Sequence, residues 1–285
     1  MSSIQTARCA ALRAALLAIL LGLAPGCRAQ DPPARGTRAP SPAAVPLTRQ
    51  ADSAEAPGVG LRDLGAPAGR LRAAVYEDGP ASPDGTGRRY FGREVARYMS
   101  HRGAAWLERD DRALEERPDL LLGALDIAPD AVVADLGAGT GYFTFRLAER
   151  VPRGRVYAVD IQREMLAIVE ARADRDRVRN VEPVLGTESD PNLPAASVDL
   201  SLLVDSYHEF GYPREMMAAL FDATRPGGRV VLVEYRAGDP TVNIRELHTM
   251  TEAQVRREVE AAGFRFVSNS DVLPQQHLLI FERPQ

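Results

Sequence analysis

Short apolar runs alternate with stretches of helical periodicity over the second half of the chain. Ala131-Val132-Val133-Ala134 is a continuous apolar run ending at Asp135 and a glycine cluster. That pattern predicts a parallel strand buried on both faces, with a helix starting near Gly141. Val156-Tyr157-Ala158-Val159 predicts the next strand, ending at Asp160, after which Met165, Ile168 and Val169 recur at helical spacing. Together these form one βαβ unit.

Val181 to Leu185 reads as a third strand, and Pro183, which has no N–H for a ladder, favours an edge position for it. Val198 to Val204 predicts the fourth strand. Met216, Met217, Leu220 and Phe221 then mark one face of a helix following Pro213, a face more in keeping with core than with a ligand site. Gly228 to Tyr235 supplies the fifth strand, after the turn Arg225-Pro226-Gly227. Thr251 and Gln254 have capping-box spacing and Gly263 stands where a helix ends with positive φ, so a helix is predicted over Glu252 to Ala262. Phe264 to Ser268 and His277 to Phe281 then read as an antiparallel hairpin. The expected architecture is α/β: a doubly wound three-layer sandwich on a mostly parallel seven-stranded sheet, closed by that C-terminal hairpin.

The N-terminal part has a different texture. Arg8 and Arg13 precede an apolar run, Ala14 to Ala24, followed by Pro25, Gly26 and Cys27. Residues 1–27 therefore read as a signal peptide, too short to span a bilayer comfortably, with a lipoprotein-type form suggested by Cys27. Residues 28–87 hold nine of the 21 prolines among many Ala, Gly, Ser and Arg, a composition that buries too little surface to offset chain entropy. A disordered linker is expected there, with a short ordered piece around Leu71 to Tyr76. Residues 88–285 form the catalytic-type domain, opening with an N-terminal helical lid over 88–117 that carries Tyr90, Tyr98, His101 and Trp106. The leader implies an exported or membrane-associated protein tethered through its N-terminus. It implies a cytoplasmic one if it is an uncleaved anchor or a misassigned start.

Composition then narrows the chemistry. A formal net charge of -4 leaves no excess positive charge for a phosphate backbone, so no nucleic-acid partner is expected. All 35 basic residues are arginines, which excludes a Schiff-base or P-loop lysine. The two cysteines, Cys9 and Cys27, both lie in the leader, so the domain has no disulfide, thiolate metal site or cysteine nucleophile. No metal-ligand spacing joins the histidines, and His248 and His277 read as structural or surface residues.

The candidate chemistry lies at the strand ends. Asp135-Leu136-Gly137-Ala138-Gly139-Thr140-Gly141 occupies a strand-to-helix bend, where glycine lets the backbone approach a ligand closely. A dinucleotide fingerprint would need glycine at position 142, and Tyr142 argues against a nicotinamide-dependent oxidoreductase. Asp160 closes the second strand 25 residues past Asp135, where a carboxylate accepts hydrogen bonds from ribose hydroxyls.

Val132 to Gly141, Val159-Asp160 and Arg225 to Leu232 together resemble class I S-adenosylmethionine-dependent methyltransferases, over about residues 118–281. The resemblance implies S-adenosylmethionine as cofactor. It implies that Gly137, Ala138, Gly139, Thr140, Gly141 and Tyr142 cradle the methionine and ribose, and that Asp135 holds the amino group through water. It also implies that Asp160, with Ile161, binds the ribose, that Glu188 with Thr187 meets the adenine amine, and that Asp205 borders the cofactor.

Asp205-Ser206-Tyr207-His208-Glu209 follows the fourth strand, at the carboxyl edge where ligands of open α/β sheets bind. It is the expected acceptor-facing segment. His208, with Asp205, is the catalytic candidate: it either removes a proton from the acceptor or hydrogen-bonds its own loop. The Asn/Asp-Pro-Pro-aromatic signature of amino-nitrogen methyltransferases is missing, so a small-molecule acceptor is expected over a DNA base. A binding protein that keeps the pocket without turnover is the alternative from another class.

Overall fold

The structure, a computed structural model, describes residues 76–285. The leader, the lipid-attachment reading of Cys27 and most of the linker lie outside the described residues. The ordered chain nevertheless begins before the expected boundary at Arg88. Strands β1 (Tyr76–Asp78), β2 (Gly85–Tyr90) and β3 (Arg93–Ala96) form a three-stranded antiparallel sheet. Residues 76–87 are thus not linker, and the stretch before the core is not uniformly helical. Glu94 explains the turn between β1 and β2: its carboxylate accepts from Ser82 N, Ser82 Oγ and Gly87 N, closing a polar loop that carries no hydrophobic period to read. Helices follow as short pieces, α1 (Ala104–Leu107), α2 (Arg112–Glu116) and α3 (Pro118–Ala124).

The central sheet contains the expected seven strands: β4 (Val132–Leu136), β5 (Arg155–Asp160), β6 (Val181–Leu185), β7 (Val198–Val204), β8 (Thr224–Arg236), β10 (Arg265–Ser270) and β11 (Gln276–Glu282). A two-residue β9 (Thr249–Met250) adds to β8 as an eighth. The spatial order is β10-β11-β8-β7-β4-β5-β6, parallel from β8 to β6, with β11 antiparallel to β8 and β10 to β11. Pro183 sits on β6, the edge strand. Chain order reverses between β4 and β7, so a crevice opens beyond their carboxyl ends.

The inner parallel strands β4, β5, β7 and β8 are buried on both faces, which is why those runs lack polar alternation, whereas the edge strand β6 is only partly buried. Val133, Val156, Leu202 and Val231 pack under α3 and α4 (Tyr142–Arg150), and α5 (Arg163–Asp176) covers Ala158 through Val169. Leu136, Val159, Leu203 and Leu232 pack on the other face with α6 (Pro213–Ala223) and α7 (Glu252–Ala261). This is the three-layer sandwich. Met216 and Met217 are core, as their spacing predicts. At α7, Thr251 Oγ1 accepts from Gln254 N while the Gln254 amide donates to Glu258, so one half of the capping box forms; Gly263 has φ 101°. No helix among the described residues is long and apolar enough to cross a membrane.

Candidate functional site

The bend after β4 is held by its neighbour strand. Gly137 N and Ala138 N both donate to Val159 O, at 2.9 and 3.0 Å, which ties the loop to the end of β5. Gly139 N donates to Asp160 Oδ2 at 2.9 Å, and Gln162 N donates to Asp160 Oδ1 at 2.8 Å. Asp160 therefore closes the loop as well as facing the crevice. Burial pushes its carboxyl up, and the three N–H groups of Gln162, Gly139 and Ile161 act in the opposite direction. Gly137 has φ 73°, and a Cβ there would stand 2.7 Å from Ser206 Cβ, so only glycine lets β4 and β7 approach at this point.

Above this loop lies a cavity of about 850 Å³. Its wall includes Asp135, Gly137, Ala138, Gly139, Tyr142, Asp160, Ile161, Thr187, Glu188, Asp205 and His208. Thr140 and Gly141 are not in that wall. Thr140 Oγ1 donates to Glu108 Oε1 at 2.6 Å, and Gly141 caps α4 at φ 83° against Phe145. The loop has already turned into its helix there. Thr187 is on the wall, but its hydroxyl accepts from Asp190 N at 2.9 Å and closes its own turn.

Two carboxylates, Asp135 buried and Asp205 partly buried, stand at the ends of β4 and β7. Asp135 accepts from Thr144 Oγ1 at 2.6 Å, and burial pushes its pKa up to about 6, with Thr144 and the Arg112 guanidinium acting downward and Asp160 upward. Arg112 lies 4.1 Å above the centre of the Tyr142 ring, so Tyr142 forms part of a cationic stack. Asp205 has φ 47°, an uncommon conformation for a non-glycine residue, and accepts from Gln276 Nε2 at 2.7 Å. Its other oxygen is buried without a hydrogen-bond partner. Burial first, then the charges of Glu116 and Glu234, hold its carboxyl well above the usual range.

His208 lies on a 3-10 turn, Tyr207–Glu209, directly after β7. Its Nδ1 is 2.5 Å from Glu234 Oε2, and Glu234 Oε1 accepts from Tyr207 N at 3.0 Å. Its Nε2 is 3.0 Å from His248 Nδ1. His248 is thus not a separate surface group. Its Nε2 is 2.9 Å from Asp84 Oδ2, its Nδ1 is 3.4 Å from Glu209 Oε1, and it shares the cavity wall with His208. Burial opposes its protonation, but Glu209 and Asp84 outweigh this and raise its pKa. Forty residues separate the two histidines, and they meet where β9, directly after His248, pairs with β8. His277 lies on the hairpin, where its Nδ1 meets the Asn269 amide at 3.0 Å.

Of the expected lid aromatics, Tyr98 and Trp106 line the cavity, each about half exposed. Tyr90 is buried between Tyr76 and Phe91, and His101 stands 4.0 Å from Glu164. The strand-end pattern does not single out Gln162, whose amide Oε1 accepts from His101 N at 2.7 Å and whose Nε2 donates to Met99 O at 3.0 Å. That side chain stitches the entry segment to the ribose-side loop. Glutamine at a helix start carries no distinctive pattern.

The reversed strand order, the glycine bend and the acid closing β5 define a doubly wound α/β domain built to hold a nucleoside-type cofactor. Residues 133–228 match the methyltransferase domain family model. An uncharacterized methyltransferase-like protein of Schizosaccharomyces pombe is 32% identical over 133 residues, covering 44% of this chain and 49% of that protein. The demethylmenaquinone methyltransferase of Lactococcus lactis is 30% identical over 113 residues, covering 39% and 44%. The chain thus spans about half the length of these curated relatives. A SAM-dependent methyltransferase structure from Aquifex aeolicus superposes with a TM-score of 0.62 at 21% identity, covering 65% of this chain and all of the other. Residues 133–228 therefore form a methyltransferase-type domain, similar in fold to a SAM-dependent methyltransferase.

Proposed function

We propose that the protein transfers a methyl group from S-adenosylmethionine to a small-molecule acceptor. The observation that carries this reading is the relation of the glycine bend to Asp160. The loop approaches the crevice through backbone that a side chain would fill, and the carboxylate beside it retains lone pairs beyond those taken by Gly139 and Gln162. The residues present suit this cofactor. Asp160 would take the ribose hydroxyls, Asp135 the amino group, and Glu188 the adenine amine. The cavity lies within the roughly 300–1,000 Å³ range of small-ligand sites.

The cofactor supplies an already activated sulfonium methyl group, so this chain's task is to align an acceptor and exclude water. Tyr98 and Trp106 would cover that space, and the Asp205 to Glu209 segment would face the acceptor. The demethylmenaquinone methyltransferase similarity is consistent with an acceptor of small-molecule type. Titration of the purified full chain with S-adenosylmethionine in a calorimeter tests the reading. Saturable one-to-one binding is expected, and no heat from a folded sample would overturn it. Methyl transfer from labelled cofactor across an acceptor panel then separates an enzyme from a protein that only binds.

We also read the leader as an export signal with Cys27 as its lipid-attachment residue. Incorporation of labelled fatty acid that disappears in Cys27→Ser tests the tether, and no incorporation would reject it.

A further inference from the structure

His208, Glu209 and His248 each offer one ligand atom, and these atoms all lie within 4.8 Å of one another at the acceptor end of the cavity. We propose that His208 Nε2, His248 Nδ1 and Glu209 Oε1 bind one divalent transition-metal ion of the zinc, cobalt(II) or iron(II) kind. This goes beyond the methyltransferase reading and reverses what histidine spacing alone suggests.

The hydrogen-bond bookkeeping leads there. His208 Nδ1 lies against Glu234 Oε2, a carboxylate that can only accept, so Nδ1 carries the ring hydrogen and Nε2 presents a lone pair. His248 Nε2 lies 2.9 Å from Asp84 Oδ2, a buried oxygen without a hydrogen-bond partner, and a proton held on Nε2 beside that charge leaves a lone pair on Nδ1. Two lone pairs facing each other at 3.0 Å repel unless something positive lies between them. A shared proton would satisfy those two lone pairs. A metal ion satisfies both and also takes a further lone pair of Glu209 Oε1, which accepts from Met99 N at 3.2 Å and lies 3.4 Å from His248 Nδ1.

The spacing suits ligation. For metal–ligand bonds of about 2.1 Å, separations of 3.0 and 3.4 Å subtend roughly 90° and 108° at the metal. Two imidazoles and one carboxylate, with the outward nitrogen of each imidazole against a carboxylate, are the donor set and supporting shell of a borderline transition metal, not of magnesium or calcium. Glu234 is fully buried and immobilised by Tyr207 N, and Asp84 is anchored by Arg245 at 2.6 Å. Three protein ligands leave at least one position open toward the cavity, where an oxygen of an acceptor would bind.

The test uses the full chain, stripped with chelator and equilibrated with cobalt(II), read by visible d–d absorption and by metal analysis after desalting. One cobalt per chain is expected. Uptake should fall at least tenfold in His248→Ala and in Glu209→Gln and persist in the Cys9→Ser/Cys27→Ser double variant. Circular dichroism verifies folding of each, and Glu209→Gln, which keeps the side-chain shape, carries the test if His248→Ala does not fold. Absence of stoichiometric uptake by the folded wild-type chain would overturn the site in favour of a shared proton. So would uptake that survives both ligand substitutions or vanishes with the cysteines. Calorimetry with S-adenosylmethionine on the same samples distinguishes a failed metal site from a failed methyltransferase reading.

Discussion

Asp160 accepts the Gly139 N–H at 2.9 Å, so the acid that ends β5 also locks the glycine bend that ends β4. One carboxylate both shapes the loop and faces the crevice. Asp160→Ala is expected to weaken S-adenosylmethionine binding by ~1–3 kcal/mol through loss of charge-assisted hydrogen bonds. Calorimetric affinity checks this, and unchanged affinity would remove Asp160 from the ligand's contacts.

Gly137 should tolerate no side chain. Alanine would have to adopt φ 73° with its Cβ 2.7 Å from Ser206 Cβ, and Ser206 is itself held through its hydroxyl to Leu136 O at 3.0 Å. The left-handed conformation alone costs about 1–2 kcal/mol, and the clash adds to it. Gly137→Ala is therefore expected to lower the denaturation midpoint and impair cofactor binding. A variant with wild-type midpoint and affinity would contradict this account.

Asp135 gives the site a pH dependence of known sign. Its folded pKa, about 6, lies above the ordinary aspartate value of 3.8, so the native state holds a proton that the unfolded chain releases between those values. Its stabilising contribution is complete below about pH 4 and is lost as pH rises through 6, a change on the order of 3 kcal/mol. Binding of a cationic amino group would favour the ionised form against the opposing Asp160 charge and alongside Arg112. Cofactor affinity should thus weaken as pH falls from 7 to 5, and Asp135→Asn should flatten the profile while binding more weakly throughout. A wild-type profile equally flat across that window would refute the assignment.

Arg93 and Glu258 clamp the small sheet to α7. Arg93 Nε and Nη2 donate to the two Glu258 oxygens at 2.8 and 2.9 Å, with Glu258 fully buried. Removing one member leaves an uncompensated buried charge, so Arg93→Ala is expected to cost about 3–5 kcal/mol in chemical denaturation. A loss below ~1 kcal/mol would mean that water reaches Glu258 and that the clamp is weak.

The amino-acid sequence by itself determined the central sheet and its ligand-binding bend. Runs such as Val132 to Leu136 and Val198 to Val204 are apolar because both faces of a parallel strand are covered, and that demand is written locally. Asp135, Asp160 and the glycines were legible for the same reason, since strand ends and positive φ act within a few residues. Tertiary structure decided the rest. Residues 76–96 form a sheet through the polar closure at Glu94 and the distant Arg93–Glu258 pair, neither of which has a hydrophobic period. His248 meets His208 where β9 adds to β8, and Asp84 joins them from the turn between β1 and β2. Such contacts arise from the order in which strands assemble across long chain separations, whereas periodicity records only how each segment buries itself.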